Sequence, residues 1–561
     1  MEFDIRITGG SIVDGSGKPA YRGDVGIRDG RIAALGKAEG QARQTIDAAG
    51  KAVCPGFVDV HTHYDAQVVW DRMMTISPWH GVTTAVLGNC GFGVAPTRPQ
   101  HRRLIIQTLE KVEGMSAEAL QAGLGGDWPF VTFPDYLDAV EARGTAINAA
   151  VFVGHTPLRL YVMGEDATER PATADEVKTM RGLVEEAMEA GAIGFATSKS
   201  ITHVGFAGKP VPSRLASYEE IDALVSVLGE KRRGLMQITI GKEFFMPEME
   251  RISRERGVPV TWTALLAGLA GPGSHRRYLD GTAKQRANGA RVVPQVSCRP
   301  LNFEFNFADP FPFEIMKMFN ELAAADAKAP GARLRAYGDP AFRRRFKDEL
   351  LPNLRHWWER ATIAFAPGAP ELEEQNLAAA ARARGMDPTD LALDLSLSSD
   401  LAARFRLAVL NYEESEVAEL LQDDKVVVAL SDAGAHASQL CDACYATYLL
   451  KHWVRETGTL SLEQAVHMLT ARPAEVFGIK DRGLLAAGRP ADVVVFDPET
   501  VGDGKLQRVH DLPAGADRLI SQASGIEAVI VNGVLLRRNG QDAVLPTAKL
   551  PGRLLRAGMA A

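Results

Sequence analysis

The sequence predicts an α/β protein: an eight-stranded (β/α) barrel joined to a small β domain that both chain termini build. Three observations predict it. Both ends carry alternating, strand-type text, and the long centre repeats short apolar runs followed by helical stretches. An apolar run near residue 60 also ends in His-x-His, at the carboxyl end of a strand, where barrel chemistry sits. A chain of 561 residues is long enough for one large barrel with additions, or for three domains.

The elements follow in order. Asp4-Ile5-Arg6-Ile7-Thr8 alternates polar and apolar residues, the strand period, and Gly9-Gly10 is expected to turn the chain before Ser11-Ile12-Val13. Asp29-Gly30, between Val25–Arg28 and Arg31–Leu35, predicts a tight hairpin because glycine accepts positive φ. The C-terminus repeats the theme, with a strand at Ala491–Asp497 and a second hairpin at Asn532-Gly533. In the centre, strands are expected at 85–87, 149–153, 192–195, 258–262, 291–296 and 426–430, with helical text such as 175–190 between them. Residues 305–410 break this rhythm with aromatic and basic text, expected to be a helical insertion near the barrel mouth. Its Arg343-Arg344-Arg345 run reads as solvated helix surface, and its alternating Phe303, Phe305, Phe307, Phe311 and Phe313 as packing rather than as a ligand lining. The domain expectation is therefore 1–55 with 480–561 as the β domain and 56–479 as the barrel.

Composition narrows the function classes. With 46% hydrophobic and 24% charged residues the chain reads as an ordinary globular protein, not a disordered one. A net charge of −7 argues against a nucleic-acid binder, which needs a basic surface. No apolar run reaches the roughly 18–20 residues of a membrane span, and Met1–Arg6 lacks the basic-then-apolar order of a secretory signal. Five cysteines are too few for a disulfide scaffold, so a reduced, cytoplasmic protein is expected. Cys441 and Cys444 have redox-motif spacing without the surrounding βαβ pattern, and read as structural.

The chemistry concentrates at strand ends. In Pro55-Gly56-Phe57-Val58-Asp59-Val60-His61-Thr62-His63, the period of two puts both imidazoles on one side, a half-site for Zn²⁺. In Val427-Val428-Ala429-Leu430-Ser431-Asp432, a carboxylate closes an apolar strand, where it can bind metal and move a proton. His155, Arg159, Lys199 and His203 follow two further strands, and His436 lies four residues past Asp432; all five are candidate substrate-binding groups. Gln295 and Arg299 end another strand as weaker candidates.

Taken together, Ala52–His63, Gly88-Asn89-Cys90-Gly91, Gly154–Arg159, Gly191–Phe195, Ser431–Gly434, Leu460–Val466, Arg472-Pro473-Ala474, Asp481-Arg482-Gly483 and Gly488–Asp492 resemble the amidohydrolase superfamily, in its N-acyl-D-amino-acid deacylase branch. The resemblance spans nearly the whole chain. It implies a metal-bearing barrel with a β-sandwich from both termini, His61, His63, Cys90 and Asp432 as zinc ligands, and Asp432 as general base. It also implies further His ligands from the fifth and sixth strands, yet the corresponding stretches, 236–242 and 260–265, contain no His. One zinc per chain is therefore favoured, with two as the alternative. The expected reaction is hydrolysis of the amide of an N-acyl amino acid, a small-molecule substrate. Cyclic amides of hydantoin type, esters or carbamates, metal-assisted decarboxylation, or ligand binding without catalysis remain alternatives, and a homo-oligomer stays open.

Overall fold

The structure is a computed structural model that describes residues 2–557. It divides into two compact units, one running through Arg299 and resuming at Ser415, the other Pro300–Glu414.

In the first unit the N-terminal text folds into β1 (Phe3–Ile12), β2 (Tyr21–Arg28), β3 (Arg31–Gly36), β4 (Ala42–Asp47) and β5 (Ala52–Pro55). The centre supplies β6 (Phe57–Asp59), β7 (Val82–Leu87), β8 (Asn148–Gly154), β9 (Gly194–Ser198), β10 (Leu235–Thr239), β11 (Val260–Thr263) and β12 (Val292–Val296). The second unit holds β13 (Leu301–Asn306), β14 (Ala361–Phe365) and β15 (Arg404–Leu410). The first unit then resumes with β16 (Val427–Val428), β17 (Val493–Phe496), β18 (Gly502–Val509), β19 (Arg518–Ser524), β20 (Ile526–Val531), β21 (Val534–Arg538) and β22 (Gln541–Asp542).

Both termini do share one sheet. Its order is β22-β21-β20-β17-β5-β1-β2-β3, with β4 on β1, while β18 and β19 form a separate two-stranded ribbon. The seam between the ends is the antiparallel pair β5–β17, in which Cys54 faces Val494. Alternate residues of these strands, among them Ile5, Ile7, Val25, Ile27, Val493, Val495 and Ile530, bury together as the period of two requires. Both predicted hairpins form. Asp29-Gly30 and Asn532-Gly533 each have positive φ at both central residues, the geometry whose twist matches the flanking strands. The two turns meet: a Cβ on Gly533 would lie 2.5 Å from the Gly30 Cα. The turn expected at Gly9-Gly10 does not form. β1 runs through it with a register shift, and Gly9 at φ +70° absorbs the irregularity as a bulge.

Eight parallel strands follow in the order β16-β12-β11-β10-β9-β8-β7-β6. β7 and β8 are buried along their whole length, as expected for parallel strands covered on both faces. The sheet curls until its two edges meet just beyond β6 and β16. There Thr62 bridges Ala433, the His63 amide donates to the Ala433 carbonyl (2.7 Å), and the Ser431 hydroxyl donates to the His61 carbonyl (3.0 Å). The last strand is shorter than the 426–430 run predicts, because Leu430 turns to φ +68° and leaves the ladder. The helix predicted at 175–190 spans Ala174–Ala190, opened by a capping box between Thr173 and Glu176.

The second unit is not helical throughout: β13, β15 and β14 form an antiparallel sheet. Of the phenylalanines that read as packing, Phe303 and Phe305 follow the strand period of β13, Phe307 lies just beyond it, and Phe311 and Phe313 sit on a short 3-10 turn. Phe305 and Phe307 join Phe313, Trp357 and Phe405 in a core of their own. The basic run lies on helix Pro340–Asp348, where Arg343 pairs with Asp394 (2.6 Å) and Arg345 with Glu349 (2.8 Å). Among the described residues, no helix is long and apolar enough to cross a membrane.

Candidate metal centre

Four side chains converge where the two edges of the parallel sheet meet. His61 Nε2 lies 3.4 Å from Cys90 Sγ and 3.4 Å from Asp432 Oδ1, and His63 Nε2 lies 3.8 Å from that same oxygen. One donor atom each of His61, His63 and Cys90 falls within 4.8 Å of the others. Around a zinc with nitrogen and oxygen at about 2.0–2.1 Å and sulfur at about 2.3 Å, tetrahedral geometry sets donor–donor edges at about 3.4–3.6 Å. The two separations from His61 Nε2 fall in that range and the 3.8 Å from His63 Nε2 to Asp432 lies just outside it, so the donor chemistry of His61, His63 and Cys90, with Asp432 beside them, suits a zinc ion.

The backbone is bent to aim these groups. Cys90 (φ +57°) and Asp432 (φ +45°) both occupy the left-handed region, which is costly for residues other than glycine and is held by surrounding structure. Cys90 sits in the turn after β7, and its amide donates to Gln237 Oε1 at 2.7 Å. The His61 imidazole is oriented from behind. His61 Nδ1 donates to Gln295 Oε1 (2.7 Å), which leaves the Nε2 lone pair facing the centre. His63 Nδ1 lies 3.2 Å from Glu113 Oε1, buried at the end of helix Arg102–Val112, but the two atoms are not aligned for a hydrogen bond.

Electrostatics suits metal ligation. Burial pushes His61 down to about 4; burial, His61, His436 and His203 together push His63 well below the usual imidazole value. Both rings are therefore neutral at neutral pH, the form that binds metal. Burial raises the Cys90 thiol, so its thiolate needs a cation beside it. Burial also raises Asp432, against the opposing pull of His436. Asp432 is the open member of the set: its side chain keeps 24% of its surface exposed, against 2% for His61 and 7% for His63.

The remaining predicted residues divide. His203 and His436 act electrostatically on His63, and burial followed by His436 and Arg214 holds His203 at about 3. His203 Nδ1 meets the Ser198 hydroxyl at 2.7 Å. His155, Arg159 and Lys199 gather elsewhere. His155 Nε2 donates to Glu220 (2.9 Å) and its Nδ1 meets Thr197 (2.8 Å). Arg159 reaches both Glu220 oxygens at 2.6 Å, and Lys199 Nζ donates to the carbonyls of Arg214 (2.6 Å) and Ala216 (2.8 Å). Most polar atoms of this trio are thus taken up within the protein, Arg159 Nε being a buried exception. Arg299 likewise lies buried against Asp442 and Asp503. Glu113 and Glu220 carry no sequence signal, since each is one acid among many on helices. Gln295 had one, as a polar residue closing an apolar strand.

Convergent nitrogen, sulfur and oxygen donors at the carboxyl ends of eight parallel strands define the class to which the molecule belongs. The amidohydrolase family profile matches residues 44–536, and the chain belongs to that family. It is 30% identical to the D-aminoacylase of Alcaligenes xylosoxydans xylosoxydans over 539 residues, 95% of this chain and 94% of the relative. Among solved structures it resembles the N-acyl-D-glutamate deacylase of Bordetella bronchiseptica in complex with zinc and a phosphonate inhibitor, with a TM-score of 0.66 and 30% identity, covering 99% of this chain and 100% of that one. A D-aminoacylase structure described for its binuclear metal centre matches at a TM-score of 0.66 and 28% identity, again covering 99% and 100%.

Proposed function

We propose that this protein is a zinc-dependent hydrolase of N-acyl amino acids, of the D configuration, in which His61, His63, Cys90 and Asp432 hold one zinc ion. The observation that carries the reading is the cluster of one donor atom each from His61, His63 and Cys90 within 4.8 Å, with Asp432 Oδ1 lying 3.4 Å from His61 Nε2 and 3.8 Å from His63 Nε2. The relatives' activities give the substrate class. In this reading the eight parallel strands work as a closed (β/α)₈ barrel within residues 56–479, residues 305–410 are an insertion, and 1–55 with 480–561 form a β-sandwich.

When bound, zinc supplies Lewis-acid polarisation of the amide carbonyl and acidification of water. Asp432, the exposed carboxylate, accepts the proton of the attacking water and passes it to the leaving amine nitrogen. His61 and His63 stay neutral, and Gln295 keeps the His61 Nε2 atom on the centre. His203 and His436, beside the ligands, offer hydrogen bonds to the substrate. His155, Arg159 and Lys199 support the site through Glu220 and the 214–216 backbone.

The test is hydrolysis of N-acetyl-D- and N-acetyl-L-amino acids by the zinc-loaded protein, with metal content measured alongside. Turnover of the D series is expected, falling about 10²–10⁴-fold in Asp432→Asn. A zinc-loaded protein inert towards both series would refute the substrate assignment.

A further inference from the structure

We propose that the cavity between helix Ala117–Leu124 and the loop after β16 holds the acyl chain of the substrate, so that this protein prefers straight-chain acyl groups of about six to eight carbons. The proposal rests on the hydrolase reading above and deepens it by naming the acyl class.

The cavity encloses about 240 Å³. Its walls come from segments that follow three neighbouring strands: Trp70 beyond β6, Met115 and Leu120 beyond β7, and Gly434 and Ala437 beyond β16. The segments after these same strands supply His61, His63, Cys90 and Asp432, which puts the cavity on the face of the sheet that carries the centre. A smaller cavity, of about 30 Å³, shares the Gln67, Gly434 and Ala437 walls and also has Asp432 in its lining. Asp432 and the large cavity are therefore neighbours across Gly434. That residue has no side chain to stand between them, and at φ +97° a Cβ there would lie 2.5 Å from the His63 carbonyl oxygen.

The lining selects the acyl half of the substrate. Its charged members are two acids, Glu110 and Asp517, and among the described residues no Lys or Arg lines it. The amino-acid half carries a carboxylate beside its side chain, and bringing either of them in would set like charges together. The acyl half is uncharged, and Trp70, Met115 and Leu120 give it apolar surface. At about 30 Å³ for a water-sized group, and a methylene is close to that size, the cavity has room for about eight.

The experiment measures kcat/KM of the zinc-loaded full chain for N-acetyl-, N-butyryl-, N-hexanoyl- and N-dodecanoyl-D-alanine, beside calorimetric binding of acetate and hexanoate, which needs no turnover. A rise of about fourfold per methylene through hexanoyl is expected, with no further gain at dodecanoyl. N-succinyl-D-alanine, whose second carboxylate would meet the two acids, should be at least about 10-fold slower than N-butyryl-D-alanine. Hexanoate should bind more tightly than acetate. Ala516→Phe, which fills the cavity from the turn after Pro513–Gly515, should flatten both the acyl series and the hexanoate preference, whereas Ala516→Ser should keep them. A flat acyl series in a wild type that turns over N-acetyl-D-alanine, or rates that follow the amino-acid side chain from D-alanine to D-norleucine instead, would overturn the acyl assignment and leave the hydrolase reading intact. A hexanoate preference that survives in Ala516→Phe would overturn the cavity as its seat. A protein inert towards the whole series would overturn both readings.

Discussion

Glu220 is the place to separate support from substrate contact. Its carboxylate accepts from both Arg159, at 2.6 Å to each oxygen, and His155, at 2.9 Å, and Arg159 and His155 are fully buried. Removing the carboxylate leaves a guanidinium with no counter-charge in the interior, a loss of about 3–5 kcal/mol. Glu220→Leu alone should lower unfolding free energy by about that amount, whereas Glu220→Leu with Arg159→Met, which removes both charges, should recover most of it. The pH dependence is fixed in sign. Burial pushes the Glu220 carboxyl up, but the hydrogen bond and charge of His155 and the charge of Arg159 outweigh it and hold the group below its usual 4.5. A depressed acid contributes stability that is fully present above its unfolded value and is lost as pH falls through its folded value. The gap between wild type and Glu220→Gln should therefore be largest near neutral pH and shrink below about pH 4.5. Urea unfolding at several pH values reads both effects. A loss under about 1 kcal/mol for Glu220→Leu, or a double variant no better than the single one, would refute the reasoning.

Two further outcomes follow from the geometry. Gln295→Leu removes the acceptor that fixes the His61 tautomer and should weaken zinc binding about 10–100-fold in chelator competition, with little change in the number of ions held. Gly533→Ala should cost about 1–3 kcal/mol in unfolding free energy, because the residue has φ +79° and the new methyl would lie 2.5 Å from Gly30; an unchanged denaturation midpoint would contradict the turn geometry.

Most of the architecture was legible because periodicity and turn chemistry are local. Asp29-Gly30 and Asn532-Gly533 demand positive φ wherever they stand, and the apolar runs of β7 and β8 mark strands buried on both faces. The errors also have local causes. Gly9-Gly10 permits a bulge as readily as a turn, and only pairing with β2 decides between them. The strands of the second unit were hidden by aromatic and basic text whose alternation is short. At the centre, His61-x-His63 was readable because two donors lie on one strand end. Glu113 and Gln237 were not. Glu113 ends a helix and comes beside His63 only in the folded chain, and Gln237 accepts from the Cys90 amide only because β10 packs near the turn after β7.

The seam between β5 and β17 has a consequence for synthesis. Cys54 and Val494 are about 440 residues apart in the chain. At ribosomal rates of 5–20 residues per second, β5 emerges roughly 20–90 s before its partner exists. Throughout that interval Ala52-Val53-Cys54-Pro55, all buried in the finished protein, presents a bare apolar edge immediately ahead of the segment that carries His61 and His63. The nascent chain is thus most exposed to mispairing beside the strand that leads to His61 and His63, and a holdase that shields this edge until the last sixth of the chain is made would raise the yield of folded protein.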